Sequence, residues 1–185
     1  MSDDKKEVVE EPKFRLRTIV ADQDVIDLRK PSEEVTLSIG DNSGNAYPDG
    51  ETNELIQALK DYVTEHEGLG MAAVQLGVHK RLFVMRRPFN SDKLLVVINP
   101  KILRTNGKST KSEGCFSIPD LPGRPMITRA SMIWVNFTDE SGVEYKDEML
   151  VGMDARIFQH EYEHLEGNLL IDKTRYGNFK GWAAF

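Results

Sequence analysis

The stretch Gln159-His160-Glu161-Tyr162-Glu163-His164 constrains this chain more than any other, because two imidazoles and a carboxylate so spaced ask for a helix with one face turned inward. His160 and His164 are four residues apart, so on a helix they lie one above the other and can reach a single metal ion. Ile157, His160, Glu161 and His164 follow the i, i+3, i+4, i+7 pattern, which puts the candidate ligands on the face that Met153 and Ile157 turn toward a core. Arg156, Gln159, Glu163 and Glu166 fall on the opposite side, expected to be polar. Gly167 is the natural C-cap. The pattern fixes only three of five positions, and two surface histidines on an acidic helix would satisfy it equally, so the rest of the chain has to decide.

Several classes are excluded by bulk properties. A chain of 185 residues with 39% apolar and 29% charged side chains is long enough for one domain with a sizeable core, and is neither disordered nor membrane-spanning in character. The expected organisation is a mobile acidic tail over residues 1–13 and a single catalytic domain over residues 14–185. A net charge of −6 and a pI near 5.3 argue against a protein that grips phosphate backbones, so no direct nucleic-acid role is expected. Met1 to Pro12 lacks an apolar core region and is neither Arg-rich nor Ser-rich, so it does not read as a secretory signal or an evident transit peptide, and the expected setting is intracellular and cytoplasmic. Cys115 is the one cysteine, so no intramolecular disulfide forms.

Along the chain, Ile19, Val20, Val25, Ile26 and Leu28, ending at Lys30-Pro31, suggest a leading strand and turn. Asp41 to Asn45 and Tyr47 to Gly50 are loop chemistry. Leu55, Leu59, Tyr62 and Val63 predict a helix that starts at Asp49 or Thr52 and ends at Gly68. Leu82–Met85 and Leu94–Ile98 read as two buried strands joined across Pro88–Asp92. Met126–Thr138 and Val143–Leu150 read as a hairpin turning at Asp139–Gly142, and Gly152-Met153-Asp154 opens the helix of the two histidines. The order of elements predicts an α+β fold of mixed, mainly antiparallel strands packed around a central HExxH helix.

A hydrolytic metal site needs three protein ligands and an open position. The extended protease pattern HExxHxxGxxH fails here because its last position is Leu170, and no glutamate follows Glu166 to complete the alternative protease set. Cys115 is the remaining strong donor, flanked by Gly114 and Ser117 in what reads as an exposed, tight turn. His66 and His79 sit among polar neighbours and are expected to be solvated.

Taken together, Gly68-Leu69-Gly70-Met71-Ala72-Ala73-Val74-Gln75, Glu113-Gly114-Cys115-Phe116-Ser117 and Gln159-His160-Glu161-Tyr162-Glu163-His164 resemble the three ordered motifs of the peptide deformylases. The resemblance covers Phe14 to Asp172. It implies removal of the formyl group from N-formylmethionyl nascent peptides by a metal held by Cys115, His160 and His164. Glu161 would move the proton of the attacking water, which the metal activates. The Gln75 amide and the Phe116 backbone N–H would stabilise the oxyanion. Gly70 and Leu69 would take the peptide as an added strand, with Gly114, Arg124 and Ile157 as further substrate contacts.

The same resemblance implies one divalent ion, iron(II) favoured, with zinc, nickel or cobalt possible in the purified protein. It also implies action on nascent chains, with the ribosome as a candidate place of action, as a monomer without membrane contact. Two departures stand out. Glu163 occupies a position where the family usually has Asp, and the segment after the helix is shorter than in many bacterial members, as in a compact form from an organelle, a virus or an unusual bacterium. Arg129 stands where the family places an arginine that pairs with the acidic residue of the helix, so Glu163 and Arg129 are expected to form an ion pair. The rivals are a protease and a metal-binding domain without turnover.

Overall fold

The computed structural model describes residues 13–39, 45–87, 91–119 and 124–174, with residues 91 and 92 described as backbone only. Most of the expected acidic tail, most of the Asp41–Asn45 loop, the Pro88–Asn90 link, Pro122-Gly123 and the end of the chain lie outside these residues.

A five-stranded antiparallel sheet runs in the order β3 (Gly70–Ala72), β4 (Leu82–Arg87), β5 (Ser91–Asn106), β8 (Met132–Thr138) and β9 (Glu144–Val151). Leu82–Met85 of β4 and Leu94–Ile98 of β5 read as unbroken apolar runs because both faces are covered there, whereas β8 alternates buried and half-buried residues. Phe83, Met85 and Val97 point into one core with Phe158, Ile157 and Leu165 of α3 (Gly152–Leu165). Leu82, Val84, Val96 and Ile98 point into another with Leu55, Ile56, Leu59 and Val63 of α2 (Gly50–Glu65). Phe83 and Phe158 meet edge to face, with ring centroids 5.1 Å apart. The helix of the two histidines is therefore packed against a sheet, in an α+β fold. The Asp49 side chain caps α2 by accepting from the Thr52 N–H at 2.7 Å.

Beside this sheet lie two short ribbons, β1 (Leu37–Ile39) with β2 (Ala46–Pro48), and β6 (Ser109–Ser112) with β7 (Met126–Arg129). A one-turn 3-10 helix at Ala73–Leu76 follows β3. Among the described residues no helix is long and apolar enough to cross a membrane.

Three local expectations are corrected. The leading strand is instead helix α1 (Asp22–Leu28): only Val25 and Leu28 of its apolar residues are buried, at helical spacing, and Asp22 and Asp24 favour the positive end of the helix. The run Met126–Thr138 is two strands, β7 and β8, and only β8 forms the expected hairpin with β9. The break has a cause, since the Gln159 side chain donates to the Ala130 carbonyl at 2.9 Å and accepts from its N–H at 3.1 Å, taking that residue out of the ladder. The supposed polar face of α3 is also largely covered. Arg156 is 4% exposed, and Gln159 faces Ala130. Only Glu166 stays fully at the surface, where it pairs with Arg81 at 2.7 Å.

Candidate metal site

Cys115 follows the β6 end of the β6–β7 ribbon, and its loop is pinned at several points. Glu113 N–H donates to the Pro125 carbonyl at 3.0 Å, Ile118 N–H to the Cys115 carbonyl at 3.0 Å, and Ile19 N–H to the Ser117 carbonyl at 2.9 Å. Ser117 is fully buried, so this turn is more interior than its glycine and serine suggest. Gln75, from the 3-10 turn, reaches across: its Oε1 accepts from the Ala72 N–H at 2.9 Å, and its Nε2 donates to Ser117 Oγ at 3.1 Å and lies 3.7 Å from Cys115 Sγ. With Oε1 so occupied, the orientation of the amide is set by its partners.

The helix brings its two histidines up to this loop. The donor atoms of Cys115, His160 and His164 lie within 4.8 Å of one another, and Cys115 Sγ is 3.3 Å from His164 Nε2. His66 and His79 stand apart from this group. His66 is exposed and stacks on Tyr62 at 4.0 Å, while His79 is half-buried rather than solvated.

Glu113 organises the group from behind. Arg129 holds it with two hydrogen bonds of 2.7 and 2.8 Å, Arg156 donates to the same Oε1, and His160 Nδ1 meets Oε2 at 3.0 Å. That last contact fixes the His160 ring and leaves its Nε2 for a metal. Burial works against the charge on Glu113, but His160 and Arg129 overcome it and hold the carboxyl down at about 2. The surroundings treat the two imidazoles in opposite ways. Burial disfavours an imidazolium at His160, yet the Cys115 sulfur, Glu113 and Glu161 raise it to about 10. Burial, with His160 and Arg129, keeps His164 well below the usual imidazole range. One sulfur and two imidazole nitrogens, backed by a buried carboxylate, fit a divalent transition metal.

Glu161 lies beside Gly70 of β3, on a cavity. It is 4% exposed, and its Oε2 is buried without a hydrogen-bond partner. Burial is the main cause that raises its carboxyl to about 7; Glu113 adds to the rise, while His160 and Arg129 oppose it. A Cβ at Gly70 would stand 2.7 Å from Glu161 Oε1, so any larger residue there would push that carboxylate aside.

A cavity of about 750 Å³ joins these groups. Gly70, Leu69, Gln75, Gly114, Cys115, Phe116, Arg124, Ile157, His160 and Glu161 all line it, whereas His164 lies behind, 1% exposed. Leu69 is 45% exposed and Arg124 is at the surface, so these two stand at the rim, while Ile157 is a buried wall. Strand β3 is the edge of the sheet. The expected ion pair is present, with Arg129 Nη1 2.9 Å from Glu163 Oε1, and Lys173 Nζ 2.5 Å from the same oxygen. Sequence reasoning missed Glu113 and Arg156 as site residues. The signal was the carboxylate two residues before Cys115 and an arginine one turn before His160.

The sequence model of the polypeptide deformylase family matches residues 16–178. A peptide deformylase of Syntrophomonas wolfei is 37% identical over 135 residues, 71% of this chain and 85% of the relative. One of Halothermothrix orenii is 39% identical over 123 residues, 66% of this chain and 77% of the relative. Among solved structures, the peptide deformylase of Thermotoga maritima superposes with a TM-score of 0.72 at 30% identity, covering 88% of this chain and 98% of its own. A probable peptide deformylase from Synechococcus phage S-SSM7 gives 0.70 at 31%, covering 87% and 99%. With the family match running through all three segments that build the site, the chain belongs to the polypeptide deformylase family.

Proposed function

We propose that this protein hydrolyses the N-formyl group of formylmethionyl nascent peptides to formate, with Cys115, His160 and His164 holding one divalent metal. The observation that carries this reading is the convergence of three segments, at Gln75, Cys115 and His160 to His164, on one cavity beside an edge strand. When bound, the metal supplies Lewis acidity that makes water nucleophilic near neutral pH.

The remaining work falls to side chains and backbone. An extended peptide pairs with the edge of β3 at Leu69 and Gly70, a mode that selects unstructured N-termini. Ile157, Gly114 and Arg124 border its path. Glu161 takes the proton of the attacking water at its unpartnered Oε2 and delivers it to the amine nitrogen as the formyl C–N bond breaks. Of the two hydrogens on Gln75 Nε2, one goes to Ser117 Oγ and the other to Cys115 Sγ at 3.7 Å; this second, longer bond is the one exchanged when the amide, with the Phe116 backbone N–H, serves the developing oxyanion.

The metal in this reading is iron(II). Zinc binds such donors more tightly, but the Cys115 thiolate beside a metal that reacts with oxygen can climb the oxidation ladder. The iron form is expected to lose activity in air faster than the nickel form. Residues 14–185 act in this reading as one catalytic domain, a monomer working on nascent chains at the ribosome. Comparing N-formyl and N-acetyl forms of one methionyl tripeptide, and a blocked peptide for internal cleavage, tests the reaction class. Turnover of the formyl form alone is expected; cleavage of the blocked peptide's internal bonds would make this a protease instead.

A further inference from the structure

Arg156 lies one helical turn before His160 on α3, so the two side chains stand on the same stripe of the helix. Both grip one carboxylate that comes from another segment. Arg156 Nη1 donates to Glu113 Oε1, and His160 Nδ1 meets Glu113 Oε2 at 3.0 Å. The carboxylate is thereby fixed in plane, with one oxygen turned to each residue. Arg156 does more than this. Its Nη1 also donates to the Ile127 carbonyl of β7 at 3.1 Å and its Nη2 to the Ser109 carbonyl of β6 at 2.5 Å. These strands are the ribbon whose loop holds Glu113 and Cys115.

Arg129, which also binds Glu113, sits on β7 and reaches α3 through Glu163 at 2.9 Å, so it ties one strand of the ribbon to the helix. Arg156 reaches from the helix to both strands of the ribbon and to the carboxylate between them. We propose that Arg156 is a positioning residue that sets the register of the Cys115 loop against α3 and so fixes the spacing of the three metal ligands. This rests on the assignment of Cys115, His160 and His164 as the ligands. The guanidinium is needed for its several donors in a fixed plane, which the single ammonium of lysine cannot reproduce.

The test uses the full-length protein, wild type and the variants Arg156→Met and Arg156→Lys, with cobalt(II) as the probe. Affinity is measured by competition with a chelator, ligand geometry by the visible d–d bands, and fold by the thermal unfolding of the metal-free proteins. The wild type is expected to show thiolate-to-cobalt absorption; its absence would overturn the ligand assignment rather than the role of Arg156. Arg156→Met is expected to bind cobalt about 10- to 100-fold more weakly and to shift the d–d bands, as does loss of groups that orient a metal ligand. Arg156→Lys should recover only part of this. A folded Arg156→Met with wild-type affinity and spectrum would overturn the proposal, leaving Arg156 a stabilising residue alone. Should the Met variant fail to fold, the Lys variant decides: wild-type affinity and spectrum overturn the proposal, and a weakened, shifted site supports it.

Discussion

Glu161 owes its chemistry to its neighbours being so few. Gly70 leaves room for its carboxylate, Oε2 has no protein partner, and the cations nearby are already engaged with Glu113. Replacing Glu161 with Gln keeps the shape but removes the proton carrier. Activity should fall by about 10²- to 10⁴-fold with metal content unchanged, measured as turnover and as bound metal per chain; full activity would remove Glu161 from the mechanism. Asp24 shows the opposite arrangement. Burial acts to raise its pKa, but Arg15, the Thr18 N–H and Arg17 outweigh it and hold the carboxyl below its ordinary value. A carboxyl depressed in the folded state contributes stability that is fully present above its unfolded pKa, about 3.9, and is lost as pH falls through its folded value. Wild type and Asp24→Asn should therefore differ most in denaturation midpoint near neutral pH and converge below about pH 4. A difference that persists unchanged into acid would show that the Arg15 pairing contributes nothing.

At the scale of elements, the tie between α3 and β7 carries the clearest energetic expectation. Arg129 is 1% exposed in its side chain and holds Glu113 on one side and Glu163 on the other, whereas Glu163 is 20% exposed and has Lys173 as a second partner. Arg129→Ala takes from Glu113 its two-point partner, leaving Arg156 and His160 on it, and takes from Glu163 its buried cation; together these losses should cost about 3–5 kcal/mol. Glu163→Ala should cost less, about 1–3 kcal/mol, because Arg129 keeps Glu113. In a double-mutant cycle on the metal-loaded protein, a coupling of about 0.5–3 kcal/mol is expected, and strict additivity would mean that the pair contributes nothing.

The capped α2 helix, the buried strands at Leu82 and Leu94, and the two histidines were legible in the sequence because each rests on local spacing; Cys115 followed as the remaining strong donor, and the Glu163–Arg129 pair came only from the resemblance to the family. Arg156 was not legible. Its spacing of four puts it on the stripe of His160, but nothing local reveals that a ribbon formed by residues 109–112 and 126–129 covers that side and brings Glu113 to it. Helix α1 was misread for a related reason. Its apolar residues do not all face inward, and the burial of Asp24 depends on Arg15, nine positions earlier. Long-range ionic contacts leave no periodic trace.

Over the whole molecule, the site is a meeting of segments distant in the chain. The sheet edge brings Gly70 and the turn after it Gln75, the ribbon brings Glu113 and Cys115, and the helix brings His160, Glu161 and His164, each held by hydrogen bonds to another of these segments. The central claim is that this assembly hydrolyses a formamide. Purified protein, loaded anaerobically with iron(II), nickel(II) or cobalt(II), is incubated with a formyl-methionyl tripeptide, and formate and free amine are quantified together. The account predicts one formate for each amine released, with rapid turnover. Absence of formate with all three metals would contradict it.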